Sequence, residues 1–248
     1  MKQFYHVLNH LLFLFVVVLV NQPILASPYY TYCNTFVIAC PQQLPSGLIQ
    51  TNIGHRFYGP ISEGVGSLYG MDSGANVILY TSYTLTHNDK LHVQRLRENK
   101  ELQLGYQRSQ QLQNLPLFLL VQVNAVWFQD NNDSVFNGTS IVGATYDFKV
   151  AQLHTNFGFD HYNQSNGYGV AFVYELSEEW DAVMEGFQTN SNNDPSLSIG
   201  AIYHTFGHRF KLGIHNSTAM SFQTLILGTA RKDWVFGFQI HRLLEIDE

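Results

Sequence analysis

From residue 47 onward the chain alternates polar and apolar side chains in short runs that recur about every 18 residues. Such a period places successive side chains on opposite faces of a strand and is incompatible with helix. The runs are 47–57, 75–85, 90–96, 101–109, 117–128 and 139–149, then 151–161, 167–176, 179–189, 196–206, 208–216 and 234–244. About twelve strands are therefore expected, an even number, as bacterial membrane barrels have.

The two faces decide which solvent each meets. In "GYGVAFVYEL", Tyr168, Val170, Phe172, Tyr174 and Leu176 share one face, opposite Gly169, Ala171 and Glu175. In "WVFGFQIHR", Trp234, Phe236, Phe238 and Ile240 oppose Gly237, Gln239 and His241. A soluble β-sandwich turns charged residues outward. Here the polar face is amide, Gly, Ser and His, which suits a narrow wet lumen, and the aromatic face suits lipid. Only 13% of residues are charged while 14% are aromatic, a balance unusual for a soluble exported chain. The 13 Lys and Arg are scattered and the net charge is −6, so no nucleic-acid partner is expected.

The connections agree with a barrel. Residues 58–74, 129–138, 162–166, 190–195 and 217–233 read as outer loops, and 86–89, 149–150, 176–179 and Gly207 as inner turns. The short 97–99 and the longer 110–116 break the alternation. Residues 1–26 read as a signal peptide, with Lys2, the apolar run Leu11–Val20, and cleavage after Ala26. The expected organisation is a signal peptide (1–26), a periplasmic N-terminal segment (27–46) and an outer-membrane β-barrel (47–248).

The tetrapeptide GHRF occurs at 54–57 and again at 207–210, placing two of the few arginines mid-strand. Parity turns Arg56 and Arg209 inward with Lys211, where Gln122, Asn124, Asp147, Asp160, Glu175 and Glu185 are also expected to line the lumen. An Arg on the lipid face at the midplane would cost ~2–4 kcal/mol. The first and eleventh strands flank the twelfth, so the arginines are expected roughly 10 Å apart before shear is considered. Glu175 and Glu185 are the leading candidates to pair with them.

Cys33 and Cys40, in "CNTFVIAC", fit either a small disulfide loop in an oxidising compartment or two free thiols. They offer too few ligands for a metal, and the pair His204 and His208 has no cluster to complete it, so no metal or cofactor is expected. Catalysis has one candidate, a rim His-x-Ser formed by His215 and Ser217. No carboxylate is evident to orient the imidazole. Plain lumen polarity and a rim turn explain these residues better.

An early "HRF", the loop "YGMDSGANV", "SYTLTHNDKLHV", a late "GHRFKLGIHNS" and the ending "FGFQIHRLL" resemble a Gram-negative outer-membrane β-barrel family of unknown function. The resemblance implies an all-β, transmembrane, antiparallel up-and-down barrel. Outer-membrane lipids and the barrel-assembly machinery are the expected partners. The favoured function is a porin-like or structural barrel with a narrow polar lumen and no catalysis. A lipid-modifying hydrolase using His215 and Ser217 is the alternative, and a periplasmic ligand-binding barrel a weaker one.

Overall fold

The computed structural model describes residues 33–244 apart from 114, 131, 132, 191–193, 206, 227, 229, 230 and 232. The expected signal peptide, its cleavage point and the start of the N-terminal segment lie outside the described residues. The strands are β1 (Ile49–Pro60), β2 (Ala75–Thr86), β3 (Asp89–Leu96), β4 (Leu102–Gln111), β5 (Leu117–Asp130) and β6 (Asp133–Asp147). They continue with β7 (Ala151–Asp160), β8 (Ser165–Ser177), β9 (Trp180–Thr189), β10 (Ser196–Thr205), β11 (His208–His215) and β12 (Val235–Leu244). Among the described residues one short α-helix, α1 (Phe222–Leu225), lies between β11 and β12.

Each strand pairs antiparallel with its sequence neighbours, and β12 returns to pair with β1, so the sheet is a closed twelve-stranded barrel. Closure leaves no edge, which a sheet in lipid requires. Alternation fixes the faces as expected. Ile53, Leu79, Leu104, Val123, Tyr168, Val170, Phe172, Met184 and Leu212 are exposed on the outside. Gln50, Asn52, Gln103, Asn124, Asn156, Lys211 and Gln239 are buried within.

One connection differs from expectation. Most of the loop placed at 129–138 is strand, because β5 and β6 stay paired out to Asp130 opposite Asp133. Cross-strand side chains extend the ladder, with Trp127 and Phe136 rings 5.0 Å apart.

The interior is not an open channel. The described part of the segment expected to be periplasmic, residues 33–46, is largely buried, with Phe36, Ile38, Cys40 and Leu44 in the core. The reason is composition: "FVIA" is apolar and has no strand of its own in which to shelter. From the opposite, loop-bearing end, residues 217–226 also fold inward and bury Met220, Phe222, Leu225 and Ile226.

Phe172 is 41% exposed on the outer face. Phe172→Arg should destabilise the refolded barrel by ~2–4 kcal/mol if that position lies near the bilayer midplane. Gln122→Arg, on the inner face, should cost far less. Urea titration of both variants in lipid vesicles checks this, and equal losses would reverse the face assignment.

Candidate functional site: a lumen filled from both ends

A chain segment without ladder partners must satisfy its main-chain N–H and C=O groups by other means. Inside this barrel the wall side chains do so. Cys33 and Cys40 are joined by a disulfide, with Cα atoms 5.5 Å apart, closing residues 33–40 into a hairpin. At its tip the N–H groups of Phe36, Val37 and Ile38 converge on the carboxylate of Glu185 from β9. Val37 donates to both oxygens at 3.2 Å and Ile38 at 3.3 Å. Three peptide donors on one carboxylate form an anion-binding concavity.

The carbonyls are served by cations and amides. Lys211 Nζ donates to the carbonyls of Cys33, at 3.2 Å, and Thr35. Gln239 reaches Phe36 O at 3.0 Å, Asn156 reaches Ala39 O at 2.7 Å, and Gln107 reaches Cys40 O at 3.1 Å. These residues come from β12, β7 and β4, so the hairpin bridges the lumen. Near the turn-bearing rim, Asn34 meets Asp181 at 2.8 Å and Arg209 at 3.1 Å.

Glycine supplies the sockets. The Phe36 ring stands where a Cβ on Gly200 or Gly213 would fall, at 2.7 and 2.6 Å. It meets the His215 ring edge-on at 4.8 Å. A Cβ on Gly158 would lie 2.0 Å from the Phe222 ring.

Phe222 belongs to the second insertion. Ser221 caps α1 through Thr224 N at 3.1 Å. Gln223 bonds Asn137 at 2.7 Å and Asp160 at 2.9 Å. Arg56 holds the approach to this helix by donating to Ser217 O, at 3.1 Å, and Ala219 O. Asn76 takes Thr218 O at 2.9 Å. Val37 and Ala39 pack against the cluster of Phe222, Leu225 and Leu120, so the two insertions meet inside the barrel.

The anticipated lumen residues separate accordingly. Arg56, Lys211, Asn124, Asp160 and Glu185 are all buried inside. Asn124 links His92 at 3.0 Å, Gln122 at 3.1 Å and Thr139 at 2.9 Å. Glu175 is exposed at the end of β8, so the expectation that it lines the lumen is corrected. It shares the inward parity of Ala171 and Val173 but lies at the rim, level with Asp181. Asp147 likewise sits at a strand end, where it accepts from Lys149 N at 2.8 Å.

The arginine account is corrected too. Both flank β12, but Arg56 is level with Gly237 and Arg209 with His241, which faces Asn52. Four residues of offset add roughly 13 Å along the strand to the two strand spacings. Glu185 serves main-chain donors, and Arg56 holds main-chain acceptors, in place of the expected Arg–Glu pair. His215 is buried, with Nδ1 2.8 Å from Ser198 Oγ, while Ser217 Oγ accepts from Ala219 N at 3.1 Å. The His-x-Ser candidates thus have separate structural partners and do not form a rim dyad.

The family model "Membrane bound beta barrel domain (DUF5777)" matches residues 38–244. Among solved structures, the "KdgM porin" superposes with a TM-score of 0.54 at 6% identity, covering 79% of this chain and 98% of that one. The "NanC porin" gives 0.50 at 8% identity, covering 80% of this chain and 100% of that one. At these identities the likeness is one of fold. No curated protein matches. A closed antiparallel barrel with an apolar outer band is the architecture of the bacterial outer membrane, where this chain resides.

Arg56→Met should free the approach to α1. Losing two charge-assisted bonds should weaken seating of residues 217–226 by about 2–4 kcal/mol, seen as faster cleavage in that loop by added protease. Seating should also depend on pH. Glu101, just before β4, is pushed up to about 7, chiefly by burial, while Ser221 and Gln103 pull the other way. Because that value lies above the free carboxyl's 4.5, its stabilisation is full below 4.5 and lost as pH rises through about 7. Protection should be greater at about pH 5 than at about pH 8.5. Glu101→Gln should flatten the difference.

Proposed function

Because the chain belongs to the family of membrane-bound β-barrel domains (DUF5777), we propose that it is a porin-like barrel without catalysis. Its passage is closed in this conformation and opens when the N-terminal hairpin leaves its socket. The observation that supports this reading is the way the hairpin is held. Residues 33–40 share no ladder with the wall and depend on side chains, above all Glu185 and Lys211. A permanent core element of a barrel would gain more from ladder pairing. A segment seated by a few side-chain bonds leaves the cylinder intact when it departs.

The separation of His215 from Ser217 supports the absence of hydrolysis. Each already has a buried partner of its own, and neither meets lipid.

Planar-bilayer recording tests the reading. The unaltered chain should show rare, brief openings. The double variant Glu185→Gln, Lys211→Met should open at least about tenfold more often, since each bond to a charged group contributes roughly 1.5–3 kcal/mol. Persistent silence of the folded double variant would leave a structural barrel, not a channel.

A further inference from the structure

A pocket of about 130 Å³ lies at the turn-bearing rim, around Gly207 in the connection from β10 to β11. Short connections mark the periplasmic end of such barrels. The strand register brings its walls together. Arg209 on β11 is level with His204 on β10 and His241 on β12, while His208 is level with Arg242. Parity turns His204, Arg209 and His241 inward, beside Gln50 of β1, and turns His208 and Arg242 outward. The pocket therefore runs over the rim, with one lip toward the lumen and the other toward lipid. Thr205, Gly207 and Leu243 complete the lining, and Leu243 N donates to Gly207 O at 3.2 Å.

The charge of this lining is one-sided. Two guanidiniums border it, and no Asp or Glu does so among the described residues. The imidazoles are engaged by the protein. His241 Nδ1 lies 3.3 Å from Gln50 Nε2, and its Nε2 lies 3.3 Å from Gln239 Oε1. His204 Nε2 meets Asp181 Oδ2 at 2.8 Å; Asp181 also accepts from Asn34 and lies outside the lining. His208 stacks on Phe210 with rings 6.1 Å apart. Arg209 donates to Asn34 Oδ1 at 3.1 Å, and Arg242 is exposed. A guanidinium carries several N–H donors in a planar fork that matches the edge of an oxyanion.

Two forks on opposite lips select the shape of that oxyanion. The oxygens of a carboxylate lie in one plane and suit one fork. Those of a phosphate are tetrahedral, so different edges can meet different guanidiniums. At about 10–15 Å³ per water, the volume takes roughly ten water-sized groups. That is more than a bare phosphate ion fills, which leaves room for an esterified headgroup. The outer lip, at the end of the strands, also stands at the depth where lipid headgroups begin.

We propose that this rim pocket binds a phosphate group, held between Arg209 and Arg242. The phosphate comes from the periplasmic solution or from a phospholipid headgroup beside the barrel, and both present the same oxygens. The inference goes beyond the porin-like reading and holds whether or not the lumen conducts.

The test uses the full chain, folded in detergent with its disulfide intact, and isothermal titration with sodium phosphate, sodium acetate and sodium chloride at equal ionic strength. Phosphate should bind saturably and at least about tenfold more tightly than acetate or chloride. Arg242→Gln should weaken phosphate about tenfold or more. Arg242→Lys, which keeps the charge and loses the fork, should weaken it by less. Lys149→Gln removes the same charge from the exposed turn between β6 and β7 on the same rim and should change nothing. Native mass spectrometry after incubation with phosphatidylglycerol or a phosphate-free galactolipid separates the two sources. Retention of phosphatidylglycerol over galactolipid, lost in Arg242→Gln, assigns the pocket to a headgroup; saturable phosphate without lipid retention assigns it to the free ion. Neither response, or equal losses in Arg242→Gln and Lys149→Gln, overturns the inference. Should Arg242→Gln fail to fold, the ligand comparisons on the unaltered chain still decide. The sequence continues past Leu244 with Glu245, Asp247 and Glu248. Binding that appears only after these three are changed to amides also overturns the inference and gives the pocket to the chain's own acidic end.

Discussion

The structure depends on how peptide groups are satisfied where neither lipid nor bulk water can serve them. The twelve strands do this for one another by closing the sheet. The hairpin and the inserted loop cannot, so the wall must offer acceptors and donors in the right places. Glu185 answers three N–H groups, Lys211 and Arg56 answer four carbonyls between them, and amides answer the carbonyls of Phe36, Ala39, Cys40 and Thr218. The buried charges are therefore placed opposite main-chain dipoles instead of opposite each other. A charged group satisfied by several peptide dipoles avoids much of the cost of an isolated buried charge.

That arrangement explains which parts of the fold were legible in the sequence. Alternation of period two identified all the strands, their faces and the inward parity of Arg56, Lys211, Asn124, Asp160 and Glu185. These are properties of the ladder. Depth along the barrel was not legible, because parity is blind to it. Glu175 and Glu185 occupy the same face of neighbouring strands, yet one is exposed at the rim and the other buried mid-lumen. Register, set by the shear of twelve pairings, separates them. The same blindness left the offset between Arg56 and Arg209 along the barrel open.

The hairpin was hidden for a different reason. Its residues make no ladder and so have no period. Two signals pointed to it: the cysteine pair, and an apolar "FVIA" ahead of the first strand that nothing outside the barrel would bury. The inward glycines carried a third. On alternation alone they read as small residues bordering water, whereas Gly158, Gly200 and Gly213 are sockets for aromatic rings.

The disulfide-closed hairpin also bears on how the barrel is made. It immediately precedes β1, yet Lys211 and Gln239, which grip it, lie on β11 and β12, the last strands of the chain. β12 is also the strand that seals the cylinder against β1. A sheet that lacks its last two strands therefore does not hold the complete socket. The segment that comes first in the barrel is seated by the strands that come last, so until they form the loop ahead of β1 lacks part of its seat.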